Sequence, residues 1–333
     1  MKNVKNLFLL PIISALIAIS FSASAEEIDE KGILTVSYEN DVFVGRDSHY
    51  TNGFRLSYIS PETEVTKWFE NTTRYVPFFL QGGNKRLGFA IGQNMYTPLD
   101  LTRAVPDPLD RPYAGWLHAD FSVTSDTDKR LDSLELSLGM VGPASLAGQT
   151  QDFIHSFVPD AQEPQGWDYQ IENEPAIMLS YQRKWKNTWQ ATPFGLGTDF
   201  IPHIGFSAGN VFTHAALGGT LRLGQDLPSD YGPPIIRPSF GGSDFFHPSS
   251  DFGWYLFTGL EGRAVARNIF LDGNSFSDSA EVDKEYLVGD LQMGVAVTWE
   301  NTRLSYTHIF KTKEFRTQDS NDNFGSLNLS MRF

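Results

Sequence analysis

Cysteine is absent from the 333 residues, which rules out disulfides and thiolate zinc sites. Beyond the first 25 residues, no segment offers the roughly 20 apolar residues that a membrane-spanning helix requires. Positive charge is also scarce: Asp and Glu outnumber Lys and Arg by 40 to 26, for a net charge of −14. Such a chain makes a poor nucleic-acid partner. It can still meet lipopolysaccharide, whose phosphates need only a few local cations or bridging metal ions. The motifs of several enzyme classes are missing too, with no G-x-S-x-G elbow, no H-E-x-x-H and no P-loop. Ser145 and Ser156 remain as candidate serine nucleophiles, but neither sits in a diagnostic context.

What the chain does have begins with an export signal. Lys2 and Lys5 precede a mostly apolar run from Leu7 to Phe21, and Ala23-Ser24-Ala25 then supplies a small-residue cleavage site. Residues 1–25 therefore read as a signal peptide and residues 26–333 as one mature domain. Cleavage would take away two lysines and no acids, which moves the net charge to −16.

Glycine (29 residues) and aromatic residues (14%) are plentiful. That composition suits a secreted β-protein or an outer-membrane barrel. The ending decides for the barrel. Ser326 to Phe333 alternates strictly and stops on phenylalanine, which resembles the last strand of bacterial outer-membrane proteins.

Alternating segments bounded by turn residues predict twelve strands, near 33–44, 51–60, 86–97, 113–125, 130–141, 176–184, 199–208, 211–224, 253–267, 287–299, 302–311 and 325–333. In the tenth, Leu291, Met293, Val295, Val297 and Trp299 share one face; Asp290, Gln292, Gly294, Ala296 and Thr298 share the other. The expected fold class is all-β: a twelve-stranded antiparallel transmembrane β-barrel with both ends periplasmic and a short helix in an extracellular loop. Two predicted periplasmic connections, Pro61 to Lys85 and Gln225 to Phe252, are longer than such turns usually are.

The helix belongs to the stretch from Gly142 to Asn173, in the third extracellular loop. Gln151 and His155 stand at i and i+4 on one helical face, with Asp152, Asp160, Glu163 and Asp168 close by in sequence. Three further polar clusters fall on the same end of the barrel: Glu39-Asn40-Asp41, His49 to Gly53, and Gly92 to Pro98 together with Asp110 to Gly115. A histidine held by a carboxylate can take a proton from water near neutral pH. An oxygen-rich set suits Ca²⁺ better than zinc, and such an ion can polarise an ester carbonyl. Strict alternation would put Asn40 and Asp41 on opposite faces, so a shared site requires the strand to bulge or leave its pleat there. His49, His118, His203, His214, His247 and His308 read as structural.

The segments SYENDVF, HYTNGFRLSY, GQNMYTP, DRPYAGWLH, GMVGPASLAGQTQDFIH and PQGWDYQIENEP resemble, in order and spacing, the outer-membrane lipid A 3′-O-deacylases of Gram-negative bacteria. The resemblance implies a twelve-stranded barrel and Ca²⁺-dependent removal of the 3′-linked acyloxyacyl group of lipid A. It places Asn40, Asp41 and Thr51 at the metal. Gln151 and His155 fall on the loop helix, with Glu163 first and Asp160 second as the acidic partner of the histidine. Val42 stands where the family carries a second acid. The implied setting is the outer membrane, with the site facing the outer leaflet, lipopolysaccharide as substrate, outer-membrane lipids as surroundings and a monomeric protein. Two other readings use the same barrel. One is a phospholipase, which needs a serine beside a histidine. The other is a porin or adhesin in which Gln151 and His155 are plain loop residues.

Overall fold

Lipid offers no hydrogen bonds to backbone groups, so a sheet within it is stable only when it closes on itself. The chain does this with twelve strands, seen in a computed structural model that describes residues 29–41, 49–62, 83–127, 129–156, 162–236, 238–240 and 242–333. The expected signal peptide, Asp160, Val42 and most of the 61–85 connection lie outside the described residues. The strands are β1 (Ile33–Asn40), β2 (His49–Ile59), β3 (Asn84–Thr97), β4 (Ala114–Asp126), β5 (Arg130–Val141) and β6 (Glu174–Trp185). They continue as β7 (Gly197–Gly209), β8 (Phe212–Gln225), β9 (Phe252–Asn268), β10 (Leu287–Trp299), β11 (Thr302–Lys311) and β12 (Asp322–Arg332). Each pairs antiparallel with the next, and β12 pairs with β1 to complete the ring. The expected strands are all present, with shifted ends; the first stops at Asn40 rather than at 44.

The alternation is inside-out relative to a soluble protein. Leu34, Val36, Phe54, Leu56, Phe89, Ile91, Leu291 and Met293 point outward and are exposed; Thr35, Ser37, Ser57, Asp290, Gln292, Ser305 and Asn328 point inward and are buried. Trp189, Phe252, Trp299 and Phe333 form an exposed aromatic fringe at the end that carries the termini, as interfacial girdles do.

A barrel of eight strands fills its interior with its own side chains, whereas a wider one leaves a lumen. Here the 226–251 connection folds inward and fills the end that carries the termini. Its short strands Ser229–Asp230 and Phe246–His247 pair with each other. Asp230 lies between two walls, bonded to Arg222 of β8 and to Arg303 of β11, the latter at 2.7 Å. Glu39 and Glu261 accept from the Ile236 and Phe240 backbones, each at 2.9 Å, and Arg55 reaches Asp244 at 2.7 Å. Tyr231, Phe245 and Phe246 pack among Ile33, Ile59, Leu131 and Ile201. The long connection from Gln225 to Phe252, unexplained by the strand pattern, is therefore a plug.

An aromatic layer of Tyr50, Tyr96, Trp116, Phe212, Phe270 and Phe324 closes the opposite end. Tyr96 stacks on Phe270 with centroids 4.2 Å apart. Above it, Arg111 crosses the mouth to Glu314 at 3.3 Å. Burial pushes the Glu314 carboxyl up, but the charges of Lys311, Arg111 and Arg263 outweigh it and bring it down to about 2. A depressed carboxylate stabilises the fold above its unfolded value and loses that contribution only as pH falls through the folded one. The clasp therefore holds throughout the neutral and mildly acidic range.

With both ends closed, the protein should carry no steady current in planar bilayers, and porin-like conductance of the intact protein would contradict that closure. Asp230→Ala, which strips a buried carboxylate from buried arginines, should destabilise the barrel by about 3–5 kcal/mol. Heat-modifiable gel mobility would show this as a lowered unfolding temperature.

Candidate active site

The polar residues of β1 and β2 meet at the rim opposite the termini, on the outer face of the wall. Asn40 pairs with Asn52 in register, and both follow the outward positions Val36, Tyr38, Phe54 and Leu56. The amide nitrogens of Asn40 and Asn52 each donate to the Tyr38 hydroxyl at 3.1 Å. β1 ends at Asn40, and the buried Asp41 has already left the extended pleat. Opposite it, β2 bulges: Tyr50 pairs with Tyr96 and Asn52 with Met95, which leaves Thr51 as the extra residue. A bulge keeps two successive side chains on nearly one side. Tyr50 accordingly turns into the lumen, where its hydroxyl donates to Glu39 at 2.9 Å. Thr51 stays at the outer wall, its Oγ1 2.6 Å from that of Thr97 on β3. The departure from regular pleating that a shared Asn40–Asp41 site requires is present where β1 stops, and the bulge of β2 at Thr51 adds another beside it.

The loop helix α1 (Ala147–His155) lies against the same outer face. The chain reaches it through Gly142 at φ 89°, where a Cβ would stand 2.5 Å from the Glu172 carbonyl oxygen, so only glycine fits. Pro143 then opens a turn of 3₁₀ helix, and Leu146 adopts a left-handed conformation before α1 begins. Gly115 of β4 faces outward beneath this segment. A Cβ there would lie 2.3 Å from the Ala147 methyl group, so the missing side chain is what lets the helix seat. Gln93, outward on β3, donates to the Ser145 carbonyl at 2.7 Å.

Cross-strand register links the two halves. Asn40, Asn52, Met95 and Gly115 form one lateral row across β1 to β4. At roughly 4.8 Å per strand, this row spans about 14 Å, from the oxygen-rich corner to the helix.

Along α1, Ala147, Gln151 and His155 fall at i, i+4 and i+8 on one stripe. Ala147 and Gln151 are buried, while His155 is half-buried at the last turn. Gln151 Oε1 accepts from the Trp167 indole N–H at 2.7 Å. His155 Nδ1 lies 2.9 Å from the Gln162 carbonyl oxygen. A carbonyl only accepts, so Nδ1 carries the hydrogen and neutral His155 keeps its lone pair on Nε2. The backbone of Gln162 is therefore what holds the ring in this structure. The Glu163 side chain is exposed, and Asp160 lies outside the described residues.

The remaining polar clusters divide between wall and lumen. Asn94 and His118 turn inward and bond each other at 3.2 Å, and Arg111 serves the mouth clasp. His203 and His214 are also buried in the lumen. Ser145 is buried against Gly115, and the Ser156 hydroxyl donates to the Phe153 carbonyl at 2.6 Å. Among the described residues, no group of three or more His, Cys, Asp and Glu side chains could hold a metal; the oxygen-rich corner has Asp41 as its one described acid. From the sequence, Thr97 stood only as a member of the Gly92–Pro98 cluster, and Trp167 and Tyr38 had no polar role. Their signal was present in the GQNMYTP, PQGW and SYEND segments, but nothing there assigned a partner.

The family model described as outer membrane protein LpxR matches residues 10–333. LpxR from Salmonella typhimurium is similar in fold, with a TM-score of 0.73 at 21% identity over 90% of this chain and 100% of that one. The β-domain of the Bordetella autotransporter BrkA gives a TM-score of 0.44 at 11% identity, over 92% of this chain and 99% of that one. No curated protein matches in sequence. With a family match over nearly the whole chain and a closed twelve-stranded barrel, the protein belongs to the LpxR family of outer-membrane lipid A deacylases.

Proposed function

We propose that the chain hydrolyses the ester linking the 3′ acyloxyacyl group to lipid A, with His155 as general base. The observation that carries this reading is the fixed tautomer of His155, on a helix seated against the same outer wall that bears Asn40, Asp41 and Thr51. Its Nε2 is free of the proton that Nδ1 carries, as a base for water must be.

The location also suits a lipid. The site lies on the membrane-facing side of the barrel, so a substrate in the leaflet can reach it laterally, without entering a lumen that is closed at both ends. The end opposite the termini would face the cell exterior, which puts the site at the outer leaflet.

In the proposed reaction His155 Nε2 takes a proton from water as the water oxygen bonds to the ester carbonyl carbon. The tetrahedral oxyanion then collapses and expels the 3′ oxygen of the sugar, which recovers the proton from His155. A free 3′-hydroxyl and a free acyloxyacyl acid result. Gln151 donates to the developing oxyanion. Glu163, or Asp160 in second place, supplies negative charge that favours the imidazolium, while the Gln162 carbonyl fixes the ring.

The residues at the corner fit a calcium ion in kind. Asn40, Asp41 and Thr51 offer only oxygen, and the register pairs Asn40, the residue before Asp41, with Asn52, the residue after the bulged Thr51. With Val42 in place of a second acid, the charge count is low, and the expected affinity is correspondingly weak. A bound Ca²⁺ would polarise the ester carbonyl and stabilise the oxyanion.

The phospholipase reading loses its nucleophile, because Ser145 is wedged beneath α1 and the Ser156 hydroxyl is committed to a backbone carbonyl. The pore reading conflicts with the plug. Phospholipid and lipid A offered to one preparation would separate the two ester substrates.

Mass spectrometry of lipid A from cells with and without the protein should show loss of the 3′ acyloxyacyl mass only when the protein is present. His155→Ala should lower turnover on the order of 10²- to 10⁴-fold while heat-modifiable mobility stays normal. His155→Gln should not restore it, since an amide accepts no proton, and near-normal turnover of His155→Ala would remove the site assignment. Glu163→Gln and Asp160→Asn, made separately, should show the larger loss at the carboxylate that serves the ring.

Chelation with EDTA should abolish turnover, Ca²⁺ should restore it at comparatively high concentration, and Zn²⁺ should fail for want of thiolate or additional histidine ligands. Full activity in excess chelator, with metal content verified, would contradict the calcium requirement.

A further inference from the structure

Trp167 enters none of the steps above, yet it fixes the orientation of a group that does. Its indole N–H is a donor only. The 2.7 Å bond to Gln151 Oε1 therefore settles which end of the amide is which: the oxygen faces Trp167 and the NH₂ faces away. Gln151 is buried, and its Nε2 has no hydrogen-bond partner among the described residues. A buried NH₂ without an acceptor is unfavourable, so the fold maintains a donor pair that an arriving oxygen would satisfy.

The ring is itself firmly set. It lies on Gly148 of α1, where a Cβ would come within 3.1 Å of the indole, and its centroid is 4.9 Å from that of Tyr113. Gly166, the preceding residue, passes so close to Tyr113 that a Cβ there would stand 2.4 Å from its ring. The Trp167 carbonyl accepts from the Gln170 side chain at 3.0 Å.

We propose that Trp167 is a positioning residue that locks the Gln151 amide with its NH₂ toward the ester carbonyl oxygen. The inference rests on the hydrolase reading of Gln151 and His155. An amide turned by half a rotation would present Oε1 to the developing oxyanion and repel it. The indole N–H blocks that rotation, because it can bond only an acceptor.

The test uses the mature protein in detergent micelles with lipid A and Ca²⁺. Trp167→Phe keeps an aromatic ring on Gly148 and removes the donor. Gln151→Ala should lower kcat by roughly 10²- to 10³-fold, the usual loss for an oxyanion donor. Trp167→Phe should lower kcat by about 10-fold or more with KM little changed. Added to Gln151→Ala, it should cause no further loss.

If Trp167→Phe assembles poorly by heat-modifiable mobility, 3-benzothienylalanine at position 167 gives the same comparison with the shape of the ring kept. An inactive Gln151→Ala beside a normal Trp167→Phe overturns this inference alone. So does an equal loss from Trp167→Phe with and without Gln151, which marks a merely structural ring. Normal turnover of both His155→Ala and Gln151→Ala overturns the site assignment and this inference with it, whereas no turnover by the intact protein overturns the hydrolase reading itself.

Discussion

The closure of the sheet governs everything else in the molecule. A strand within lipid must pair on both sides, and twelve strands achieve this only as a ring whose apolar face looks outward. The consequence is an interior lined by Glu39, Arg55, Asp120, Glu135, Glu261, Arg263 and Asp290, with charges that need partners. Arg263 finds both Glu261 and Asp290, at 2.7 and 2.6 Å. Arg55 spans Asp120, Glu135 and Asp244. The plug supplies much of the remainder, through Asp230, Asp244 and the backbone N–H groups of Ile236 and Phe240. It is a polar core that happens to arrive from a connection.

A barrel stabilised in this way is too regular to build a site on its wall. Strict pairing leaves no backbone to reorient, and alternation sends every second side chain into the lumen. The candidate site lies at the two places where the rule lapses. β1 simply stops at Asn40, and β2 takes an extra residue at Thr51. These irregularities lie on neighbouring strands at the same rung, which concentrates oxygen donors at one corner of an otherwise apolar outer face. The helix is brought to that face by subtraction: Gly115 has no side chain, and α1 occupies the space.

Much of this was legible in the sequence. The strand positions follow from a period of two that Leu291 to Trp299 shows plainly, because lipid punishes any error in that pattern. The helix that carries Gln151 and His155 was legible as well, since helical spacing standing alone among strands is easily seen. The plug was not. Asp230 and Phe246 carry no periodicity, and a segment that packs through single side chains and backbone donors leaves no pattern for a window to detect. The hydrogen-bond partner of His155 was hidden for a related reason. Glu163 and Asp160 attracted attention as carboxylates, whereas the group on Nδ1 is the carbonyl of Gln162, which every residue possesses and no sequence advertises. Trp167 was concealed differently, as an aromatic whose ring reads as packing and whose single polar atom makes the contact.

The division of labour between wall and helix follows from what each can supply. Asn40 at the end of β1 is paired on both sides, with Gly325 and Asn52, which would anchor the oxygen-rich corner for the proposed ion. The general base of the proposed reaction would instead exchange protons with water and product, so it would benefit from a position at a half-exposed helix end. His155 sits at such an end, with its tautomer set by one backbone bond and its helix set by Gly115, Gln93 and the Tyr113–Trp167 pair. The two halves share no strand and no loop. Their relative placement is carried by the lateral row from Asn40 to Gly115. The sheet that closes for the sake of its hydrogen bonds thus also sets the distance between the oxygen-rich corner and the helix that carries His155.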